Sequence, residues 1–113
     1  MKINVQVMGL GPAFLLKVTL QNTGGKPIIQ SRLNFSYDPN IYAMGYKKNS
    51  IQCLPVPILL PGPKHIAESE IRCVDSLGGP GVVYVILTSS QSDASSFPIV
   101  SASVRMPISE LSV

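Results

Sequence analysis

Tryptophan is absent, histidine occurs once, and charged side chains make up only 13% of the 113 residues. A single histidine removes most metal sites and most histidine-dependent catalysis. Nine Lys and Arg against six Asp and Glu give a net charge of +3. That charge is too diffuse to name an acidic partner, and it lacks the basic stripe of a nucleic-acid binder. Aromatic residues interleaved with cations, as base stacking needs, are missing too. The longest apolar run, 82–87, falls far short of the roughly 20 residues of a membrane helix. No secretion signal opens the sequence. Met1 and Lys2 lead directly into Ile3, Asn4, Val5, Gln6 and Val7, which alternate as a strand does. A start inside a strand predicts a domain belonging to a larger chain. Cysteine is scarce as well, with Cys53 and Cys73 alone. Without a secretion signal they are expected to be reduced, buried thiols acting as small apolar residues. A Cys53–Cys73 disulfide is the alternative, and it would mark a secreted adhesion-type sandwich.

What is abundant is equally informative. Apolar residues reach 45%, with ten prolines and nine glycines. The length suits one domain, and such a chain buries about two-thirds of its unfolded surface, so it needs no staple. Frequent proline and glycine interrupt long helices and favour short strands joined by turns. Period-two alternation recurs. Phe14, Leu16, Val18 and Leu20 face one way. Over 29–37, Ile29, Ser31, Leu33, Phe35 and Tyr37 face inward against polar Gln30, Arg32, Asn34 and Ser36. Ala67, Ser69, Ile71 and Cys73 oppose Glu68, Glu70 and Arg72. The run 82–87 is apolar on both faces and reads as a central strand. Val100, Ala102, Val104 and Met106 form a last strand with one wet face. Turn residues punctuate these runs at 9–12, 22–27, 38–40, 61–63 and 78–81. In the least regular part, 41–60, Pro55, Pro57 and Pro61 confine any strand to an edge or a short piece. Seven to eight short strands with alternating faces predict an all-β, immunoglobulin-like antiparallel sandwich over residues 1–113.

Catalytic patterns are hard to assemble. His65 follows a Pro-Gly-Pro turn with no nucleophile elbow, and reads as a surface or strand-end histidine. Glu68 and Glu70 share one outward strand face and read as solvated. The 78–81 glycine cluster lacks the Lys and Ser/Thr of a phosphate loop and precedes a strand. Residues 9–14 fail the dinucleotide pattern in the same way. The Asn34-Phe35-Ser36 acceptor falls in mid-strand and reads as chance. No catalytic residue, cofactor site or metal site is therefore expected. Lys17 and Arg32 point outward on strands read as neighbours, with Lys47 and Lys48 in the following loop. Together these four form a candidate partner-binding patch for an acidic peptide or a partner subunit; the competing reading is a solubilising face. Leu15, Ile28 and Ile66 occupy nominally outward positions, which can mark a docking face.

Two segments carry a family likeness. Residues 4–14, Asn-Val-Gln-Val-Met-Gly-Leu-Gly-Pro-Ala-Phe, continue to Leu20-Gln-Asn-Thr23; the chain then closes with Val100-Ser-Ala-Ser-Val-Arg-Met-Pro-Ile-Ser-Glu110. These, with the turn Leu59-Leu-Pro-Gly62, resemble the carboxy-terminal γ-adaptin-ear-like domain of the first BBSome subunit, the Bardet-Biedl syndrome type one family. The resemblance covers essentially the whole chain and is weakest over 38–56 and 75–96. It implies a non-enzymatic ear-like scaffold domain in an eight-protein, coat-like complex that moves membrane proteins into and out of cilia. The implied partners are other BBSome subunits and, as an alternative, short peptides of accessory or cargo proteins. Neither nucleic acid nor direct membrane insertion is implied. The Arf-like GTPase of that family binds a propeller that these residues do not include. The implied location is cytoplasmic, at the cilium and basal body, with membrane association through the complex.

Overall fold

The computed structural model describes residues 1–44, 51–90 and 96–110, and for Ile51, Ser90 and 96–98 the backbone alone. Eight strands follow in chain order: β1 (Lys2–Met8), β2 (Ala13–Gln21), β3 (Ser31–Ser36), β4 (Tyr42–Ala43), β5 (Ile51–Val56), β6 (Lys64–Cys73), β7 (Val82–Ser90) and β8 (Ser96–Arg105). They form two four-stranded sheets, β1-β2-β6-β4 and β5-β3-β7-β8. Every pairing between strands is antiparallel. This is the two-layer, immunoglobulin-like sandwich that the alternation predicts.

The core is what period two requires. Phe14, Leu16, Val18 and Leu20 of β2 meet Leu33 and Phe35 of β3 and Val83, Val85 and Leu87 of β7 in one buried cluster. β7 lies between β3 and β8, as a strand apolar on both faces should. β5, with Pro55 inside it, is an edge strand, where a missing backbone N–H costs nothing. β8 keeps Ser101, Ser103 and Arg105 in solvent.

One alternation breaks. Ile29 is not inward; it lies outside β3 and is 52% exposed, while Ile28 packs against the core. Gln30 causes the reversal. Its φ of +53° is left-handed backbone, which ends the pleat and turns the next pair of side chains over. Ile28 then pairs with Leu59 through two backbone hydrogen bonds of 2.9 and 3.0 Å, so both face inward and Ile29 and Ile58 face out.

The molecule is elongated, with extents of 51 × 28 × 18 Å, and each end is closed differently. At one end, here the asparagine pole, Asn22 is buried; its Nδ2 donates to Lys26 O at 2.7 Å and Leu59 O at 3.0 Å, and its Oδ1 accepts from Gly24 N at 2.9 Å. One side chain thus ties the 22–30 connection to the 57–63 connection. At the other end, the tyrosine pole, the Tyr42 hydroxyl accepts from Gly81 N at 3.0 Å, and Tyr37 does the same for Met44 N at 3.2 Å. The 107–110 segment lies so close to Gly78 that a Cβ there would come within 2.9 Å of Ser109 O. Gly78 also has a φ of +82°, so both its backbone and its surroundings ask for glycine.

Candidate interaction surfaces

Each sheet has one face in the core and one in solvent, so outward residues separate into two surfaces. On the β1-β2-β6 surface the register stacks side chains in rows across the strands: Lys2, Gln21 and Lys64; Asn4, Thr19 and Ile66; Gln6, Lys17 and Glu68; Met8, Leu15 and Glu70. Three lysines and Ile66 line a broad, shallow hollow of about 800 Å³ here. Lys17 is opposite Glu68 in the ladder, yet the ion pair found among the described residues is Arg72–Glu70, at 3.9 Å and well exposed. Such a pair adds about 0–1 kcal/mol.

The β5-β3-β7-β8 surface is nearly free of charge. Its rows run Pro55, Arg32 and Thr88; Cys53, Asn34, Ile86 and Ser101; then Ser36, Tyr84 and Ser103. Asn34 Nδ2 donates to Thr88 Oγ1 at 3.0 Å and to Ile86 O at 3.2 Å, which holds that side chain down against the sheet. Tyr84 stands up from it, 53% exposed.

This division corrects the expected patch. Lys17 is on β2 and Arg32 on β3, in different sheets, so they occupy opposite outer faces of the sandwich and not neighbouring strands. The cause is the 22–30 connection, which crosses from one sheet to the other instead of making a hairpin. Lys47 and Lys48 lie outside the described residues. Leu15 and Ile66 are outward as read, but Ile28 is not. Lys2 and Lys64, which flank Gln21 in the ladder, were missed; their outward parity in β1 and β6 was legible, and their proximity was not.

The remaining candidates fall as follows. His65 is the second residue of β6, a strand-end histidine, and Glu68 and Glu70 are exposed on the outer face. Cys73 is buried, but Cys53 is exposed, contrary to the reading of two buried thiols; both are free. Their strands lie in different sheets, β5 and β6. Among the described residues no three His, Cys, Asp or Glu side chains converge as a metal site would need. Among the described residues one titratable group is clearly perturbed. Burial pushes the Tyr42 phenol above its ordinary 10, against the opposing pull of the Gly81 N–H.

The family model for the GAE domain of the Bardet-Biedl syndrome 1 protein matches residues 1–112. The chain belongs to this family. Two relatives, the BBSome complex member BBS1 of Mus musculus and that of Homo sapiens, are each 32% identical to it over 111 residues. The match covers 97% of this chain and 17% of either relative. The GAE domain therefore corresponds to about a sixth of those proteins. Its ear-like sandwich is the fold described above, and its two outer faces and two poles are the surfaces it offers.

Proposed function

We propose that this chain is a single, non-catalytic interaction domain of a larger BBSome subunit. It supports assembly of that coat-like complex and, through it, the trafficking of membrane proteins to and from cilia. The observation that carries this reading is the GAE-family match along almost the entire chain, joined to a structure whose polar groups serve folding. Tyr42, Tyr37 and Asn22 all hold backbone. Lys17 and Arg32, on opposite faces, serve two different contacts, one on each side of the sandwich. Lys47 and Lys48 belong to the same proposal.

The test is charge reversal in the whole subunit. Lys17→Glu and Arg32→Glu are each expected to leave melting unchanged within about 0.5 kcal/mol, as surface changes do. Each should weaken co-purification with a different neighbour, and the wild-type contacts should weaken as salt rises. Complexes recovered intact from both variants would remove these cations from the interface.

A second reading is favoured by the hollow. Three lysines around an exposed isoleucine fit an extended acidic–aliphatic tail of an accessory or cargo protein. Calorimetric titration with such a peptide should show binding that Lys17→Glu abolishes and Arg32→Glu spares.

A further inference from the structure

The asparagine pole combines two features that no other part of the described surface combines. The first is a set of exposed aliphatic side chains. Ile29, Ile58 and Leu60 are each more than half exposed. They flank the Ile28–Leu59 bridge, so Ile29 and Ile58 are directly opposite one another and Leu60 lies on the same outward side. Buried Asn22 fixes both connections from beneath, so these tips are held in place before any partner arrives.

The second feature is an excess of positive charge. Lys26 lies in the 22–30 connection, while Lys2, Arg32 and Lys64 sit at the strand ends that enter this pole, and all four are exposed. The described carboxylates lie elsewhere. Asp38, Asp75 and Glu110 are in segments at the tyrosine pole, Glu70 is in that half of β6, and Glu68 is near the middle. Asp93, outside the described residues, belongs to the β7–β8 connection, whose strand ends are at this pole, so four cations here stand against one carboxylate.

From this conjunction we propose that the asparagine pole docks peripherally on an anionic lipid bilayer. The aliphatic tips reach the boundary between headgroups and acyl chains, and the cations meet the lipid headgroups. The inference goes beyond the protein-docking function proposed above and does not rest on it. The tyrosine pole supplies the internal contrast. Leu10, Leu77 and Ile108 there are 68%, 80% and 65% exposed, yet the cations of that end, Arg72 and Arg105 with Lys47 and Lys48 of the β4–β5 connection, are matched in number by Asp38, Glu70, Asp75 and Glu110. Apolar tips alone fit many partners, whereas apolar tips beside an excess of cations fit an anionic surface. No helix among the described residues is long and apolar enough to cross a membrane, and none is needed for this mode of contact. One cationic, shallowly inserting tip binds weakly alone and adds to other attachments of a larger assembly.

Flotation of the purified chain with vesicles tests this. Binding is expected to vesicles of phosphatidylcholine mixed with phosphatidylserine and not to phosphatidylcholine alone. It should fall steeply towards 1 M salt, where charges are screened beyond about 3 Å. Each cation near an anionic surface is worth about fivefold in partitioning, or about 1 kcal/mol. Lys26→Glu with Arg32→Glu should therefore lose at least about 25-fold. Ile29→Ser with Ile58→Ser should lose several-fold at unchanged salt slope, and Leu60→Ser gives a second aliphatic variant should that pair melt early. Leu77→Ser and Lys17→Glu should float like wild type, which separates this pole from the hollow. Absence of wild-type flotation, or flotation unaffected by both pole variants, would overturn the proposal. So would retention on immobilised polyglutamate with no vesicle binding, which would assign the pole to an acidic protein.

Discussion

The two poles of this sandwich solve one problem with different chemistry. Each must join two sheets where the ladders end and backbone groups lose their partners. At the asparagine pole one carboxamide does this, offering two donors and an acceptor to three backbone groups of two connections. At the tyrosine pole the work is divided. Two phenols supply single hydrogen bonds, and glycines let the chain pass close to Ser109 and to the Tyr42 ring. The first arrangement concentrates the closure in one side chain, and the second distributes it. One pole should therefore fail through a single substitution and the other by degrees.

The largest expected effect sets the scale. Leu33 is fully buried in the core that both poles share, so Leu33→Ala should cost about 2–5 kcal/mol. Hydrogen exchange should then accelerate at both poles together. Acceleration at one pole only would show that the halves open independently.

Asn22→Ala comes next. It strips Lys26 O of its side-chain donor and releases Gly24 N, and should cost about 1–3 kcal/mol. Asn22→Asp keeps the acceptor and loses the donors, so it should recover only part of that loss. If chemical denaturation finds Asn22→Asp as stable as wild type, the donors contribute nothing and the concentrated closure is an illusion.

Tyr42→Phe leaves one amide, that of Gly81, without its partner, and should cost about 1–2 kcal/mol. A smaller and more diagnostic difference lies in pH. The folded phenol titrates above its unfolded value of 10 because burial disfavours the phenolate. As pH rises past 10, the unfolded chain gives up this proton first, so the folded state binds more protons and stability falls. Below pH 10 the group contributes no slope. Melting curves of wild type should therefore decline above pH 10 more steeply than those of Tyr42→Phe. Parallel curves would mean the hydroxyl is not held as described.

The smallest effect is expected at the Glu70–Arg72 pair, which both side chains make in solvent. Arg72→Ala should change stability by less than about 0.5 kcal/mol in urea titrations. A larger loss would mean that the stem of Arg72 is packing at the tyrosine pole.

Strands and inward faces were legible because period two is a local property. Phe14, Leu16, Val18, Leu20, Leu33 and Phe35 announce burial by their spacing alone. What alternation cannot report is which sheet a strand joins. Lys17 and Arg32 have the same outward parity and end on opposite sides of the molecule, since the intervening connection crosses between layers. The Ile28/Ile29 exchange was hidden for a different reason. It depends on one left-handed residue, Gln30, whose side chain gives no sign that it would adopt φ > 0 as a glycine or asparagine would. Lys2 and Lys64 were separated by 61 residues of sequence and brought into one row by strand register. Register is fixed by pairing, and pairing is not written in either segment alone.

The contrast between the two thiols has a practical use. Cys53 is exposed on β5, on the nearly uncharged outer face, and Cys73 is buried in the opposite sheet. The native chain therefore carries an accessible maleimide handle at a defined place, with its other thiol shielded while the fold holds. A fluorophore attached at Cys53 would sit beside Asn34, its neighbour in the ladder, and report contact at that face by quenching or anisotropy. Slow reaction of the second thiol would time the opening of the core in the same cuvette, so one reagent reads both docking and unfolding.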